Sequence, residues 1–179
     1  MFVQIENTPN PNSLKFLPGK IVSNSGSLEI TKKEDTNNEL VRNLLSINGV
    51  EGIFLGNDFI SINKYDEFSW EDIKHIVISL INDYYSGGKE FVIDKNSETN
   101  LENLEKIEKK IIKILEQKIR PAVAKDGGDI KFKEFKNGLV KVQLQGSCSG
   151  CPSSTMTLKQ GVQNLLCHYI PEVKEVEAI

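Results

Sequence analysis

Residues 130–154 read IKFKEFKNGLVKVQLQGSCSGCPSS, and this stretch decides the fold of the second half of the chain. Apolar and polar side chains alternate on both sides of an Asn-Gly pair, which is the pattern of a β-hairpin closed by a tight turn. The second strand runs directly into two cysteines with C-x-x-C spacing, and the proline after them favours the start of a helix. We therefore expect Cys148 and Cys151 in a loop between the end of a strand and the N-terminus of a helix.

The segments on either side of this hairpin complete a small domain that we place at residues 104–179. Before the hairpin, apolar residues keep a helical spacing through Pro121, which predicts one helix with a kink at this proline. After the cysteines, a second helix carries an apolar stripe and residues 171–176 (PEVKEV) predict a closing strand, so that the order is α-β-β-α-β. The residues expected to face inward from the second helix are Leu158, Val162, Leu165 and Tyr169.

The first part of the chain predicts another small domain, at residues 1–93. Short strand-like runs flank the turn-rich sequence ENTPNPNS, and a hairpin closes near Gly56. A helix follows, with Ser69 as its N-cap, Tyr84 on its apolar stripe and Gly87 at its end. Residues 94–103 (DKNSETNLEN) are polar and lack apolar periodicity, which indicates a linker. The fold class is therefore α+β, with two small domains joined by a polar linker.

Composition excludes several classes of protein. The chain has 179 residues, of which 39% are hydrophobic and 26% charged, as in soluble globular proteins. A net charge of -3 gives no sign of nucleic-acid binding, and no run is long enough for a membrane-spanning helix. The first residues resemble neither a secretory signal nor a transit peptide, so we expect a cytoplasmic protein. Three cysteines in a reducing compartment favour a metal or redox site over a disulfide framework.

The position of the C-x-x-C motif has chemical consequences. Backbone N–H groups at a helix N-terminus favour the thiolate form, which is the metal ligand. Small neighbours such as Ser147 and Ser149 are expected to leave the two sulfurs accessible from one side, and Gly146 allows a close approach of the backbone. A metal or a reacting thiol bound here would therefore be within reach of a partner.

The number of protein ligands that a metal site needs limits what these cysteines can bind. Zinc and 4Fe-4S clusters usually take four protein ligands, whereas one C-x-x-C supplies two. Cys167 is 16 residues beyond Cys151, about 24 Å along the helix, and is expected to be a surface or spare thiol. His75 and His168 lack ligand spacing to each other. Three hypotheses stay open on these residues: a thiol redox pair, a zinc ion between two chains, and an iron-sulfur cluster between two chains.

Several longer stretches resemble a known family. The C-terminal domain resembles that of the NifU family in IRPAVAKDGGDI (119–130), LQGSCSGCPSSTMTLKQGVQ (144–163) and IPEV (170–173). FVQIENTPNPNSLKFLPG (2–19) and GVEGIFLGNDFISI (49–62) resemble the N-terminal domain of Nfu-type iron-sulfur cluster carriers. The resemblance covers nearly the whole chain, with the two domains in the family's order.

This resemblance implies a carrier, not an enzyme. A 4Fe-4S cluster would be held in a homodimer, each subunit contributing Cys148 and Cys151, received from an upstream donor and passed to apo-proteins. Independently of the resemblance, TPNPNS in the N-terminal domain carries no nucleophile, metal ligand or phosphate-binding glycine pattern, so we expect a module that binds partners, with a domain that only regulates or solubilises its neighbour as the alternative. Asp126 and Asp129 in the motif DGGD are expected to form a turn and are not offered as ligands. Gln163 departs from the family, because many relatives carry a glutamate there.

Overall fold

Two compact units make up the chain, Met1–Ser97 and Glu98–Ile179. Both contain helices and strands, which confirms the α+β class. The predicted linker at residues 94–103 lies outside the residues that the structure describes, so the domain limits at 93 and 104 stay predictions. The structure is a computed structural model that describes residues 2–90, 92, 105–149 and 152–179, the side chains of 152–154 excepted.

The described strands of the first unit form one sheet with the order β1-β2-β5-β4-β3, in which all neighbours are antiparallel. The hairpin predicted near Gly56 is confirmed, since Gly56 N donates to Phe59 O at 2.9 Å between β4 and β5. The strands are β1 Gln4–Asn7, β2 Ser13–Leu17, β3 Leu28–Ile30, β4 Val50–Leu55 and β5 Ile60–Lys64.

Two α-helices of this unit, α1 (Glu39–Leu45) and α2 (Trp70–Ser86), contribute buried residues to the same core as the strands. Ser69 is the N-cap of α2, as predicted, and its hydroxyl accepts from Glu71 N at 3.2 Å. On the apolar stripe, Tyr84 is half-buried against the core, and Tyr85, which was not predicted there, is buried. Burial raises the pKa of Tyr85 to about 12, and its hydroxyl donates to a backbone carbonyl.

The loop between β1 and β2 is the irregular segment that its prolines and asparagines predicted. Asn12 N donates to Asn10 Oδ1 at 3.0 Å, and Lys64 Nζ donates to Asn12 Oδ1 at 2.9 Å. Trp70 Nε1 donates to Pro11 O at 3.0 Å. These side-chain bonds hold the loop in one conformation against β5 and the start of α2.

The second unit has the predicted order α-β-β-α-β. Its described strands form a sheet with the order β6-β7-β8, in which β6 and β7 are antiparallel and β7 and β8 are parallel. Its elements are α3 Lys106–Ile114, a π-helical turn Leu115–Ile119, α4 Arg120–Lys125, β6 Gly128–Lys136, β7 Leu139–Gly146, α5 Pro152–Tyr169 and β8 Glu175–Ala178.

Helical structure continues through Pro121, as the apolar spacing predicted. The π-helical turn lies directly before α4, where Arg120 N donates to Leu115 O five residues back. Proline lacks an N–H and clashes with the preceding turn, and a wider turn accommodates both effects. The predicted kink at the proline is therefore observed as a local change of helix type.

The tight turn of the β6-β7 hairpin is also confirmed. Asn137 has a φ of 52° and Gly138 a φ of 82°, and a turn with two positive φ angles matches the twist of the flanking strands. The register shifts between Phe132 and Glu134, which is a β-bulge. Beyond this bulge the two strands stay paired to Gly128 and Gly146, at the end of the hairpin that leads into the cysteines.

The inward side of α5 differs from the predicted stripe. Val162, Leu166 and Ile170 are buried, whereas Leu165 is half-buried and Tyr169 is 49% exposed. The buried residues are four apart, so the contact with the sheet follows the i, i+4 row of the helix. The prediction shifted to the neighbouring row after Val162 and was wrong for Tyr169.

Candidate functional site

The site lies where β7 leads into α5. Because β7 ends at Gly146 and α5 begins at Pro152, Cys148 lies in the predicted loop between a strand and a helix N-terminus. Cys151, the second cysteine of the motif, lies outside the described residues. The structure therefore gives the geometry of the first thiol and of the loop that leads to it.

The side chain of Cys148 is buried, with only 7% of the residue exposed. Gly128, the first residue of β6, lies beneath it: a Cβ built on Gly128 would be 2.6 Å from Cys148 Sγ and 2.7 Å from Gln145 O. Gly146 has a φ of 66°, a left-handed conformation that turns the chain back over β6. The expectation of an accessible sulfur is thus wrong for Cys148, because two glycines let the loop close onto the strand.

Hydrogen bonds tie this loop to the elements around it. Ser147 donates from its hydroxyl to Asp126 O and from its backbone N–H to Gly127 O, so that the loop is fastened to the end of α4. Thr155 Oγ1 donates to Cys148 O at 3.2 Å, which connects the loop to the first turn of α5. The backbone of Cys148 is therefore held from both sides.

A buried ion pair supports the same end of the hairpin. Arg120 donates from Nε and Nη2 to the two carboxylate oxygens of Asp129, each at 2.8 Å. Asp129 is 4% exposed, and its Oδ1 also accepts from Ile130 N at 2.8 Å. The hydrogen bond to Asp129 is the largest cause that raises the pKa of Arg120 above its ordinary value. Asp129 thus joins α4 to β6, in agreement with its exclusion as a ligand.

The remaining sequence candidates lie apart from Cys148 in the chain and make other contacts. Cys167 is half-buried and packs partly against the core of its unit, with Sγ 3.8 Å from Lys174 O, and it stays a predicted spare thiol. His75 is exposed on α2, and His168 is exposed with its ring against Tyr169. Among the described residues, no three His, Cys, Asp or Glu side chains form a group that could hold a metal ion.

Sequence reasoning missed Gly128, Arg120 and Thr155 as parts of this site. For Gly128 a signal existed, because pairing β6 with β7 from their tight turn places the start of one strand opposite the end of the other. The observed register pairs Gly128 with Gly146. The contacts of Arg120 and Thr155 depend on helix orientation, which the sequence pattern does not give.

Both halves of the chain match known protein families. The family model described as NifU-like domain matches residues 111–177, and the model described as scaffold protein Nfu/NifU N terminal matches residues 3–88. The chain belongs to the NifU-like family. The recognition made from the cysteine motif and from TPNPNS is thereby confirmed.

The chain is also similar to several named proteins. The chain is 41% identical to NifU-like protein 4, mitochondrial, of Arabidopsis thaliana, over 99% of this chain and 65% of the relative. It is also 41% identical to the human NFU1 iron-sulfur cluster scaffold homolog, mitochondrial, over 100% of this chain and 72% of the relative. A solution structure of a NifU-like protein from Saccharomyces cerevisiae is 31% identical with a TM-score of 0.48, over 53% of this chain and 86% of that chain.

The NifU-like relatives correct one prediction. Both named relatives are mitochondrial proteins, which contradicts the cytoplasmic location expected from the first residues of this chain. The expectation relied on those residues alone, whereas the chain spans 65% and 72% of the lengths of these relatives. Within the part of the chain that the structure describes, no helix is long and apolar enough to cross a membrane.

Proposed function

We propose that this protein is an iron-sulfur cluster scaffold and carrier, and not an enzyme. It binds a 4Fe-4S cluster between two subunits, with Cys148 and Cys151 of each subunit as ligands, and transfers the cluster to apo-proteins. The observation that carries this proposal is the position of Cys148 in a strand-to-helix loop, in a chain that belongs to the NifU-like family. The cluster is the cargo of the protein.

The chemistry of the loop supports thiolate ligands. The first N–H groups of α5 have no partner within the helix, and their partial positive charge favours negative charge on nearby sulfur. Cys148 is fixed through its carbonyl by Thr155. One chain offers two thiolates in this motif, so that a cluster with four protein ligands needs a second copy.

Transfer proceeds by ligand exchange. A thiolate of the acceptor forms a bond to iron while a bond between iron and a cysteine of the carrier breaks, and the displaced cysteine keeps its electron pair. Neither iron nor sulfur changes oxidation state in this exchange. Two ligands per subunit hold a cluster less firmly than four ligands within one fold, which favours release to an acceptor. An upstream donor supplies iron and sulfide to the four thiolates.

Anaerobic reconstitution with iron and sulfide tests the assignment of the cysteines. We expect the wild-type chain to form a brown dimer with about four irons per two chains. Cys148→Ala and Cys151→Ala each remove two of the four ligands from the dimer and abolish cluster retention, whereas Cys167→Ala keeps the cluster. Iron and sulfide counts, visible absorbance and the mass in solution measure the result.

Two outcomes would contradict the proposal. A cluster retained by Cys148→Ala or by Cys151→Ala would exclude that cysteine as a ligand. A colourless wild-type chain that binds zinc or forms an internal disulfide would indicate a structural metal site or a thiol redox protein. Retention of the cluster by Cys167→Ala is the matched control, because it shows that removing a cysteine does not by itself prevent assembly.

A further inference from the structure

The outward side of α5 carries almost no charge. The helix has 18 residues, and Lys159 is its one Asp, Glu, Lys or Arg, in a chain of which 26% of the residues are charged. Lys159 is half-buried at the edge of this side. We call the exposed residues between Thr155 and Asn164 the outer face of α5; they are Met156, Thr157, Gln160, Gly161 and Asn164.

Met156 is the large apolar residue of this face and is 75% exposed. Met156 is the fifth residue of α5, which begins at Pro152 directly after the cysteine motif in the sequence. Side chains on a helix lean towards its N-terminus, and in α5 this is the end that follows the cysteine loop. An apolar anchor thus stands near the start of the helix that follows the proposed ligands.

Gly161 has no explanation within its own unit. It is exposed in the interior of α5, and a Cβ built on it would meet no atom within 4 Å. Glycine is unfavourable in a helix interior compared with alanine, and it is useful where another backbone approaches closely. The room at Gly161 therefore points to a body outside this unit.

We propose that the outer face of α5 is the surface that contacts a second copy of this chain when the cysteine loops of two chains meet. This inference rests on the proposed function, in which the four-ligand site is incomplete without the second copy. A two-fold contact places the same residues of both copies against each other, so that charges of one sign would repel across it. The outer face of α5 has no formally charged residue and therefore avoids this repulsion. It also offers Met156 as an apolar anchor and Gly161 for close approach of a second copy.

The experiment places a charge at Met156 in the full chain and measures dimer mass and iron per chain after anaerobic reconstitution. We expect Met156→Glu and Met156→Lys each to weaken the cluster-bound dimer by at least about tenfold, because either substitution puts like charges together. The cluster with its four thiolates is anionic and would repel glutamate but attract lysine. Loss in both variants therefore identifies a contact between subunits, and loss in the glutamate variant alone would overturn the proposal.

Two further variants separate this contact from folding effects. His168→Glu places the same charge on the exposed side of α5 about 18 Å from Met156 and is expected to leave the dimer unchanged. Gly161→Ala is expected to raise the melting temperature of the apo chain by about 3–6 °C and to weaken the dimer. A variant that is more stable and yet dimerises less cannot be explained by misfolding.

Failure of this inference differs from failure of the proposed function. If wild-type protein forms the bridged cluster through Cys148 and the Met156 variants retain the dimer, the function stands and the outer face of α5 is not the contact. If the Met156 variants keep the dimer but transfer the cluster more slowly, the face binds an acceptor, which also overturns the proposal. If wild-type protein takes up no cluster, the function itself fails.

Discussion

At the scale of single residues, the contact between Gly128 and Cys148 determines where the first thiol lies. The sulfur occupies the space that a side chain at position 128 would take. This arrangement requires a residue without a Cβ at the start of β6. Gly128 is consequently a positioning residue for Cys148, although it offers no ligand atom.

Gly128→Ala is expected to displace the cysteine loop, since the added methyl would overlap Cys148 Sγ and Gln145 O. We expect a loss of about 1–3 kcal/mol in the free energy of unfolding of the second unit, together with a lower cluster yield on reconstitution. Urea unfolding and iron counts measure the two effects. For the unfolding measurement the matched control is Gly161→Ala, which adds the same methyl where no atom lies within 4 Å and is expected not to destabilise the unit. If Gly128→Ala is as stable as wild type, the cysteine loop can move away from the added methyl without a loss in the free energy of unfolding.

Sequence patterns predicted the position of Cys148 but not its burial. The strand before it and the proline after it define a strand-to-helix loop, since both signals are local. Burial depends instead on Gly128 across the hairpin and on the left-handed conformation of Gly146. Spacing rules carry no information about which side chain covers a sulfur from a neighbouring strand.

At the scale of elements, one side chain connects α5 to the edge strand β8. Gln163 Oε1 accepts from Val176 N at 3.1 Å. Gln163 stands where many relatives are expected to carry glutamate, and both side chains offer an acceptor oxygen of similar reach. The difference from the family at Gln163 therefore affects only a local contact between α5 and β8.

Gln163→Ala should destabilise the second unit by about 1 kcal/mol, because Val176 N–H loses its acceptor. Gln163→Glu restores an acceptor and should unfold at nearly the same urea concentration as wild type. Hydrogen exchange at Val176 provides a direct measurement, with faster exchange in the alanine variant. Equal exchange rates in the alanine and glutamate variants would refute this role for Gln163.

The types and order of the elements were predictable from periodicity. The side of each helix that faces the sheet was harder to predict. The two hairpin strands and the tight turn at Asn137 followed from alternation and turn chemistry, whereas the closing strand predicted at residues 171–176 is observed at Glu175–Ala178. The inward row of α5 was misplaced after Val162, and on α2 the buried Tyr85 was not predicted beside Tyr84, which packs against the same core. Adjacent rows of a helix differ by only one residue, so the sheet that packs against the helix decides between them.

At the scale of the whole molecule, each unit has a hydrophobic core of its own. Buried residues of α1 and α2 join the sheet of the first unit, and buried residues of α3 and α5 join that of the second. A unit with a separate core is expected to fold without its neighbour. The role of the first unit can therefore be tested by removing it.

Deletion of residues 1–95 should leave a folded second unit that assembles a cluster but transfers it more slowly to at least one acceptor. The reason is that the first unit offers no cysteine, while side-chain hydrogen bonds hold its loop between β1 and β2, which we expect to take part in recognition. Transfer rates to several apo-proteins, measured for the full chain and the shortened chain, give the comparison. Equal rates for every acceptor would show that the first unit does not bind partners.

Fold class and family were accessible from the whole sequence, and cellular location was not. Strand and helix patterns alternate over most of the chain. An error in one element therefore does not change the predicted α+β class. Location depended on a few residues at one end, and the mitochondrial relatives contradict it. A property that depends on a short segment is more easily misjudged than one that depends on a hundred residues.

Because Cys148 is buried, binding of the cluster depends on the fraction of molecules in which the cysteine loop is open. Because only 7% of the Cys148 residue is exposed, we expect its sulfur to meet iron in those molecules whose loop has opened. If the open form is about one molecule in a hundred, the apparent affinity for the cluster falls about a hundredfold below that of the open form. The same equilibrium protects the empty protein, because oxidants also reach the thiol only through the open form. The closed loop thus sets both how readily cargo is accepted and how long the empty protein keeps its reactive sulfur.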